Sequence, residues 1–185
     1  MHPVKFTWGI RSLLYRPFFK KIGHLTYIGP PCFIEGVKNV TIGNRVRIFP
    51  GIRLQTMEHG SITIGDNTAI EQNVHITAAK EKLIIGKDVT ILGNVFITNI
   101  DHKYEDISIS VLEQGITVKE TTIDDGCFIG FGAAIQAGTK LGKHCIVGAS
   151  SVVRGNFPDY SVIVGNPGKI IKTYNLITNT WDRQS

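Results

Sequence analysis

The chain has 185 residues, 42% hydrophobic and 19% charged, with a net charge of +5. That length supports one domain with a substantial core and is short for two, and the balance excludes a disordered chain. Three cysteines (Cys32, Cys127 and Cys145) form no disulfide framework and no apolar run approaches a membrane span, so a reducing, cytoplasmic setting is expected. The positive charge suits an anionic partner, but no helix-turn-helix, RNP-like or zinc-knuckle pattern supports nucleic acid.

Residues 1–27 form a basic segment. Arg11 and Arg16 interrupt its apolar residues, which leaves no signal-peptide core. Lys5, Arg11, Arg16, Lys20 and Lys21 lie among Trp8, Leu13, Leu14, Phe18 and Phe19, with no acid before Glu35. A helix or cap over the open end of the repeats that begin at residue 28 is the preferred reading. Rest on the inner face of a membrane is the alternative.

From residue 28 to 165 the chain counts in sixes. Ile123, Ile129, Ile135, Leu141, Val147 and Val153 are each six apart. The fifth place of each group is small: Cys127, Ala133, Thr139, Cys145 and Ser151. Earlier, Ile28, Ile34, Ile42, Ile48, Leu54, Ile64, Ile70, Ile76, Ile85, Ile91 and Ile97 keep the same theme with wider gaps. Val40, Val46, Ile62, Val74, Val89 and Val95 stand two places ahead of later members. Six fits neither a helical period nor a heptad, and the turn signals come too often for antiparallel hairpins. Six extended residues span roughly 20 Å, enough for one flat side and a corner. Three sides close a coil of 18 residues, about one strand spacing (~4.8 Å) from the next, with Gly and Asn at the corners. This predicts an all-β fold, a parallel β-helix. Cys127 and Cys145, one coil apart, then stack on the inner face as two small core residues.

The counting stops over residues 98–117, beginning "TNIDHKYED". A solenoid of pure repeats has no cleft, so chemistry is expected where the chain departs from it. His102 opens that excursion. An imidazole has an unperturbed pKa of roughly 6.5, suited to general-base work near neutrality. His2, His24, His59 and His144 read as solvated residues, and His75 as an outward surface residue. Residues 166–185 form a C-terminal motif and tail.

The hexapeptide run resembles the left-handed β-helix acyltransferases. "LGNVFITNIDH", the excursion and "TIDDGCFIGFGAAI" resemble the catalytic stretch of galactoside, maltose and xenobiotic O-acetyltransferases. They are closer still to the acetyltransferases of O-antigen and capsular sugars. The resemblance implies a left-handed coil, His102 as general base, acetyl-CoA as co-substrate without a metal, and a homotrimer with sites between subunits. It implies acetyl-CoA contacts from Phe128, Phe131 and Ala149, and from Lys169 and Lys172 in "GNPGKIIK". A family lysine is replaced by Gly155, with Arg154 one place earlier as a candidate substitute. Glu71, Asn73, Asn94 and Asp101 are the candidate acceptor contacts for a saccharide, free or lipid-linked. Asn73 and Asn94 read equally well as corner residues, and Asp101, Glu105 and Asp106 as acids that orient His102 or are merely solvated. An amino-sugar N-acetyltransferase is the main rival function. A β-helical carbonic anhydrase using His59, His75 and His102, or a non-catalytic scaffold, are weaker ones.

Overall fold

The computed structural model describes residues 3–183. Short strands stack into three parallel sheets, the flat sides of a solenoid. The first face runs Lys21–Ile22, Val40–Ile42, Ser61–Ile64, Lys82–Ile85, Thr121–Ile123, Lys140–Leu141 and Asn156–Phe157. The second runs from Tyr27–Ile28 through Arg47–Ile48, Ala69–Ile70, Thr90–Ile91, Phe128–Ile129 and Ile146–Val147 to Ser161–Val164. The third runs from Phe33–Glu35 through Arg53–Met57, His75–Ala79, Phe96–Thr98 and Ala134–Ile135 to Val152–Val153. The first side is thus formed by Lys21–Ile22, ahead of Ile28.

The six-residue count holds in register. Ile91 pairs with Ile129, Ile97 with Ile135 and Ile85 with Ile123, each aliphatic lying directly on the next. The repeat aliphatics are buried, apart from the partly buried Ile34 near the N-terminal end. Each contributes about 1.5–3 kcal/mol by leaving water. The small fifth-place residues are buried as well: Cys127, Ala133, Thr139, Cys145 and Ser151. The two cysteines are free, and their thiols donate to Gly142 O at 3.1 Å and Pro158 O at 3.2 Å. The Cys145 sulfur, with burial, pushes the Cys127 thiol far above its ordinary value and keeps it protonated.

The corners follow a rule that composition hides. Between the first and second faces they hold Leu25, Arg45, Asn67, Asp88, Gly126, His144 and Tyr160, with φ from 51° to 72°. Only two of these are the expected Gly or Asn. The left-handed backbone costs a non-glycine residue about 1–2 kcal/mol, but it aims the N–H along the solenoid axis. Arg45 N–H reaches His24 O at 2.8 Å, Asn67 reaches Asn44 O at 2.8 Å, and Tyr160 reaches Lys143 O at 2.7 Å. Many residue types are therefore tolerated there. The glycines that come just after the aliphatic residues serve close approach instead. A Cβ on Gly130 would lie 2.5 Å from Ala149 N, and one on Gly142 2.5 Å from Asp159 N.

The helix α1 (Pro3–Tyr15) lies against the first coil. Trp8 is buried against Tyr27 and Phe49, with ring centroids at 5.9 and 5.7 Å. At the other end the chain reverses. Lys169–Asn175 adds antiparallel to Ser161–Val164, and Thr180–Arg183 adds beyond it. Rings of His144, Tyr160, Tyr174 and Trp181 succeed one another at 5.7, 6.2 and 5.3 Å along that end.

Candidate active site

The excursion leaves the third face after Thr98 as a two-stranded antiparallel ribbon. Ile100–His102 pairs with Ile116–Val118, placing His102 opposite Ile116. The coil resumes at Thr121, slightly later than the repeat count suggests, because Val118 still pairs with Ile100. Asn99, which no motif in the sequence singles out, clamps the base and is fully buried. Its carboxamide oxygen accepts from Ala79 N–H at 2.9 Å, and its nitrogen donates to Ala79 O at 3.0 Å and Glu81 O at 3.2 Å. Thr121 Oγ1 donates to Thr98 O at 2.9 Å, closing the neck from the other side. The tip is held by Ser110 and Glu113, which cap the short 3₁₀ turn Val111–Glu113 reciprocally.

His102 is exposed on this ribbon. Its three neighbouring acids are engaged elsewhere. Asp101 pairs with Arg154, at 2.6 Å to Nη2 and 2.9 Å to Nη1. Glu105 accepts from Tyr104 N–H at 3.0 Å, and Asp106 from Ser108. Arg154 Nε also donates to Gln136 Oε1 at 2.9 Å, so the guanidinium bridges the ribbon to the wall of the solenoid. Asp101 raises the proton affinity of Arg154 above its ordinary value. Arg154, a candidate acetyl-CoA contact, and Asp101, a candidate acceptor contact, are thus bound to each other. The charge relation between two residues 53 apart carries no sequence signal. Removing the clamp with Arg154→Ala should change stability by less than about 1 kcal/mol, because the pair is partly exposed. It should lower kcat by about tenfold or more, because the ribbon loses its fixed angle. Steady-state kinetics alongside urea denaturation separates the two effects.

The remaining candidates gather on another edge. Corner hydrogen bonds between the second and third faces put Asn73 and Asn94 in one column, both left-handed at φ 58° and 59°. Their backbone is that of corner residues. Gln72, Gly93, Phe131 and Ala149 form the adjoining column: Asn94 N–H reaches Gln72 O, Gly132 N–H reaches Gly93 O and Ser150 N–H reaches Phe131 O. Glu71 lies beside them, and its carboxylate accepts from Gly93 N–H at 3.3 Å. On the outer surface of the second face, Phe128 pairs with Ile146, Ile146 with Val162, and Val162 with Lys172. That row runs roughly 14 Å at ~4.8 Å per strand, from an aromatic through two aliphatics to a cation. Lys169 pairs with Val164 beside it. Within one chain, then, the wall candidates share a face and its edge, and His102 projects from a different edge.

His75 lies on the outer third face between Arg53 and Phe96. Its Nε2 is 2.8 Å from Thr77 Oγ1 and its ring meets Phe96 edge-on at 5.1 Å. Burial, helped by Arg53, lowers its pKa below the ordinary value, so it stands neutral at neutral pH. Its contribution to stability is therefore present above the unfolded-state pKa of roughly 6.5 and is lost as pH falls below it. Melting temperatures at pH 7.5 and 5.5 should converge in His75→Gln relative to the unaltered protein. His59 stands at the corner between Arg53–Met57 and Ser61–Ile64, with left-handed backbone at φ 67°. Among the described residues no three histidine, cysteine or carboxylate side chains converge as metal ligands would. No helix among them is long and apolar enough to cross a membrane.

A three-sided prism built on a six-residue count, with one histidine-bearing ribbon, is a hexapeptide-repeat scaffold. Residues 120–155 match the family model described as bacterial transferase hexapeptide (six repeats). Escherichia coli (strain K12) WbbJ, named for O-acetyl transfer in lipopolysaccharide biosynthesis, is 33% identical over 92% of this chain and 89% of its own. AntD, an N-acyltransferase from Bacillus cereus solved with dTDP and 3-hydroxybutyryl-CoA, superimposes with a TM-score of 0.76, at 19% identity over 88% of this chain and 87% of its own. Galactoside acetyltransferase in complex with coenzyme A superimposes with a TM-score of 0.65, at 20% identity over 95% and 74%. The chain belongs to the hexapeptide-repeat acetyltransferase family, and its solenoid is the left-handed β-helix of that family.

Proposed function

We propose that the protein is an acetyl-CoA-dependent O-acetyltransferase acting on a saccharide hydroxyl, a cell-surface polysaccharide or its precursor. The near full-length similarity to WbbJ carries this reading. His102 Nε2 or Nδ1 takes the proton of the acceptor hydroxyl as its oxygen attacks the thioester carbonyl carbon. Backbone N–H groups hold the tetrahedral oxyanion. Collapse breaks the carbon–sulfur bond, the CoA thiolate receives the proton from His102, and the acetyl ester leaves with the sugar. No acyl-enzyme is required.

The wall of Phe128, Phe131 and Ala149 suits a pantetheine arm, and Lys169 and Lys172 suit its phosphates. Glu71, Asn73 and Asn94 offer groups to sugar hydroxyls. Because His102 and this wall occupy different edges of one prism, a working site needs a second copy, which supports a homotrimer. The amino-sugar acceptor is the competing reading, since AntD is an N-acyltransferase on the same scaffold. Thiol release from acetyl-CoA, followed across matched panels of hydroxyl and amino sugars, tests both. Release with amino sugars alone would replace this reading by N-acetylation.

A further inference from the structure

The N-terminal end of the prism carries two features that the acyl-transfer reading leaves unused. The first is charge. Lys5, Arg11, Arg16, Lys20 and Lys21 precede any acid, and the rest of the chain balances fifteen basic side chains against fifteen acids. The whole net charge of +5 therefore resides in the first 34 residues, at one end of the solenoid.

The second is a helix with two apolar faces. At about 100° per residue, Trp8, Ser12 and Tyr15 of α1 fall on one side, and Phe6, Ile10 and Leu13 on the opposite side. The first set packs inward: Trp8 and Ser12 are buried, and Tyr15 stacks on Phe19 at 6.0 Å. The second set is left outside, with Phe6 62%, Ile10 44% and Leu13 56% exposed, and Leu14 beside it is 67% exposed. Arg11 donates to Ile28 O at 3.1 Å and Arg16 to Gly23 O at 3.2 Å. These bonds anchor the helix on both flanks, so the outer apolar stripe cannot roll inward. Leu25, 81% exposed, faces Phe6, Ile10 and Leu13 across a shallow apolar groove, and Phe18, three residues after the helix, is 63% exposed. Lys20 and Lys21 are exposed just after it.

We infer that this end docks on an anionic lipid bilayer, with Phe6, Ile10, Leu13, Leu14 and Phe18 entering the interface and Lys20 and Lys21 meeting headgroup charge. An apolar stripe rimmed by cations and free of acids has the chemistry of an interfacial helix. Apposition of this face with the same face of a second copy would bring two net positive ends together, which charge repulsion opposes. The inference stands independently of the acceptor and of the role of His102.

Co-sedimentation of the full chain with vesicles tests it. At low salt the protein should partition into phosphatidylglycerol–phosphatidylcholine vesicles at least about tenfold more strongly than into phosphatidylcholine alone, and high salt should release it. Leu13→Glu with Leu14→Glu should abolish binding, and Lys20→Glu with Lys21→Glu should reduce it by about tenfold. These are exposed positions, and circular dichroism verifies that each variant folds. No partition into anionic vesicles at low salt, or equal partition of the leucine variant, overturns the inference. So does a change of assembly mass in the leucine variant when the unaltered protein ignores vesicles, which would give the face to a second copy.

Discussion

His102→Ala should lower kcat by about 10²–10⁴-fold while leaving the melting temperature essentially unchanged. The magnitude is that of a positioned general base, and the lack of effect on stability reflects the exposure of this side chain on the ribbon. The ribbon itself is held by backbone pairing at Ile100–Val118 and by Asn99, neither of which uses the imidazole. Affinity for acetyl-CoA, measured by calorimetry, should persist, because the proposed wall lies on another edge. Turnover within a few-fold of the unaltered enzyme would sink the general-base assignment. A variant that folds but also loses acetyl-CoA affinity would instead place His102 among the binding groups.

The second large effect falls on stability. Asn99→Ala should destabilise the protein by about 2–4 kcal/mol, since it strands the Ala79 N–H and removes two further hydrogen bonds in a fully buried setting. For a domain of this size that is a drop of roughly 4–16 °C in melting temperature. Asn99→Asp should cost as much or more, because a carboxylate cannot donate to Ala79 O and Glu81 O and would be buried with its charge. Activity should fall further than stability alone explains, because the same side chain sets where the ribbon leaves the coil. Thermal unfolding and kinetics below the transition resolve the two contributions. If the Ala variant melted within a degree of the unaltered protein, the clamp would carry no weight.

The two effects meet at one place in the fold. Asn99 fixes the root of the ribbon and Arg154 ties its first strand to Gln136, so the His102 backbone is held on both sides. A rigid solenoid wall and a doubly anchored ribbon supply the fixed geometry that transfer between two bound substrates requires.

Local periodicity determined the solenoid. An aliphatic residue every six places and a small residue at the fifth are each satisfied by one geometry, so Cys145 stacked on Cys127 in the buried wall could be read directly from spacing. The break at "TNIDHKYED" was equally legible, because a missing period is itself a local signal. The handedness was not, since the general crossover preference favours a right-handed coil, and the left hand entered only by resemblance. The corners escaped too: Arg45, His144 and Tyr160 take left-handed backbone because the neighbouring coil accepts their N–H groups, a condition no single hexapeptide contains. Asp101 with Arg154 and Asn99 with Ala79 are contacts between separate coils, as is the column that sets Phe131 on Gly93. Only the stacking of one coil on another decided those, because it alone brings distant side chains within hydrogen-bonding reach.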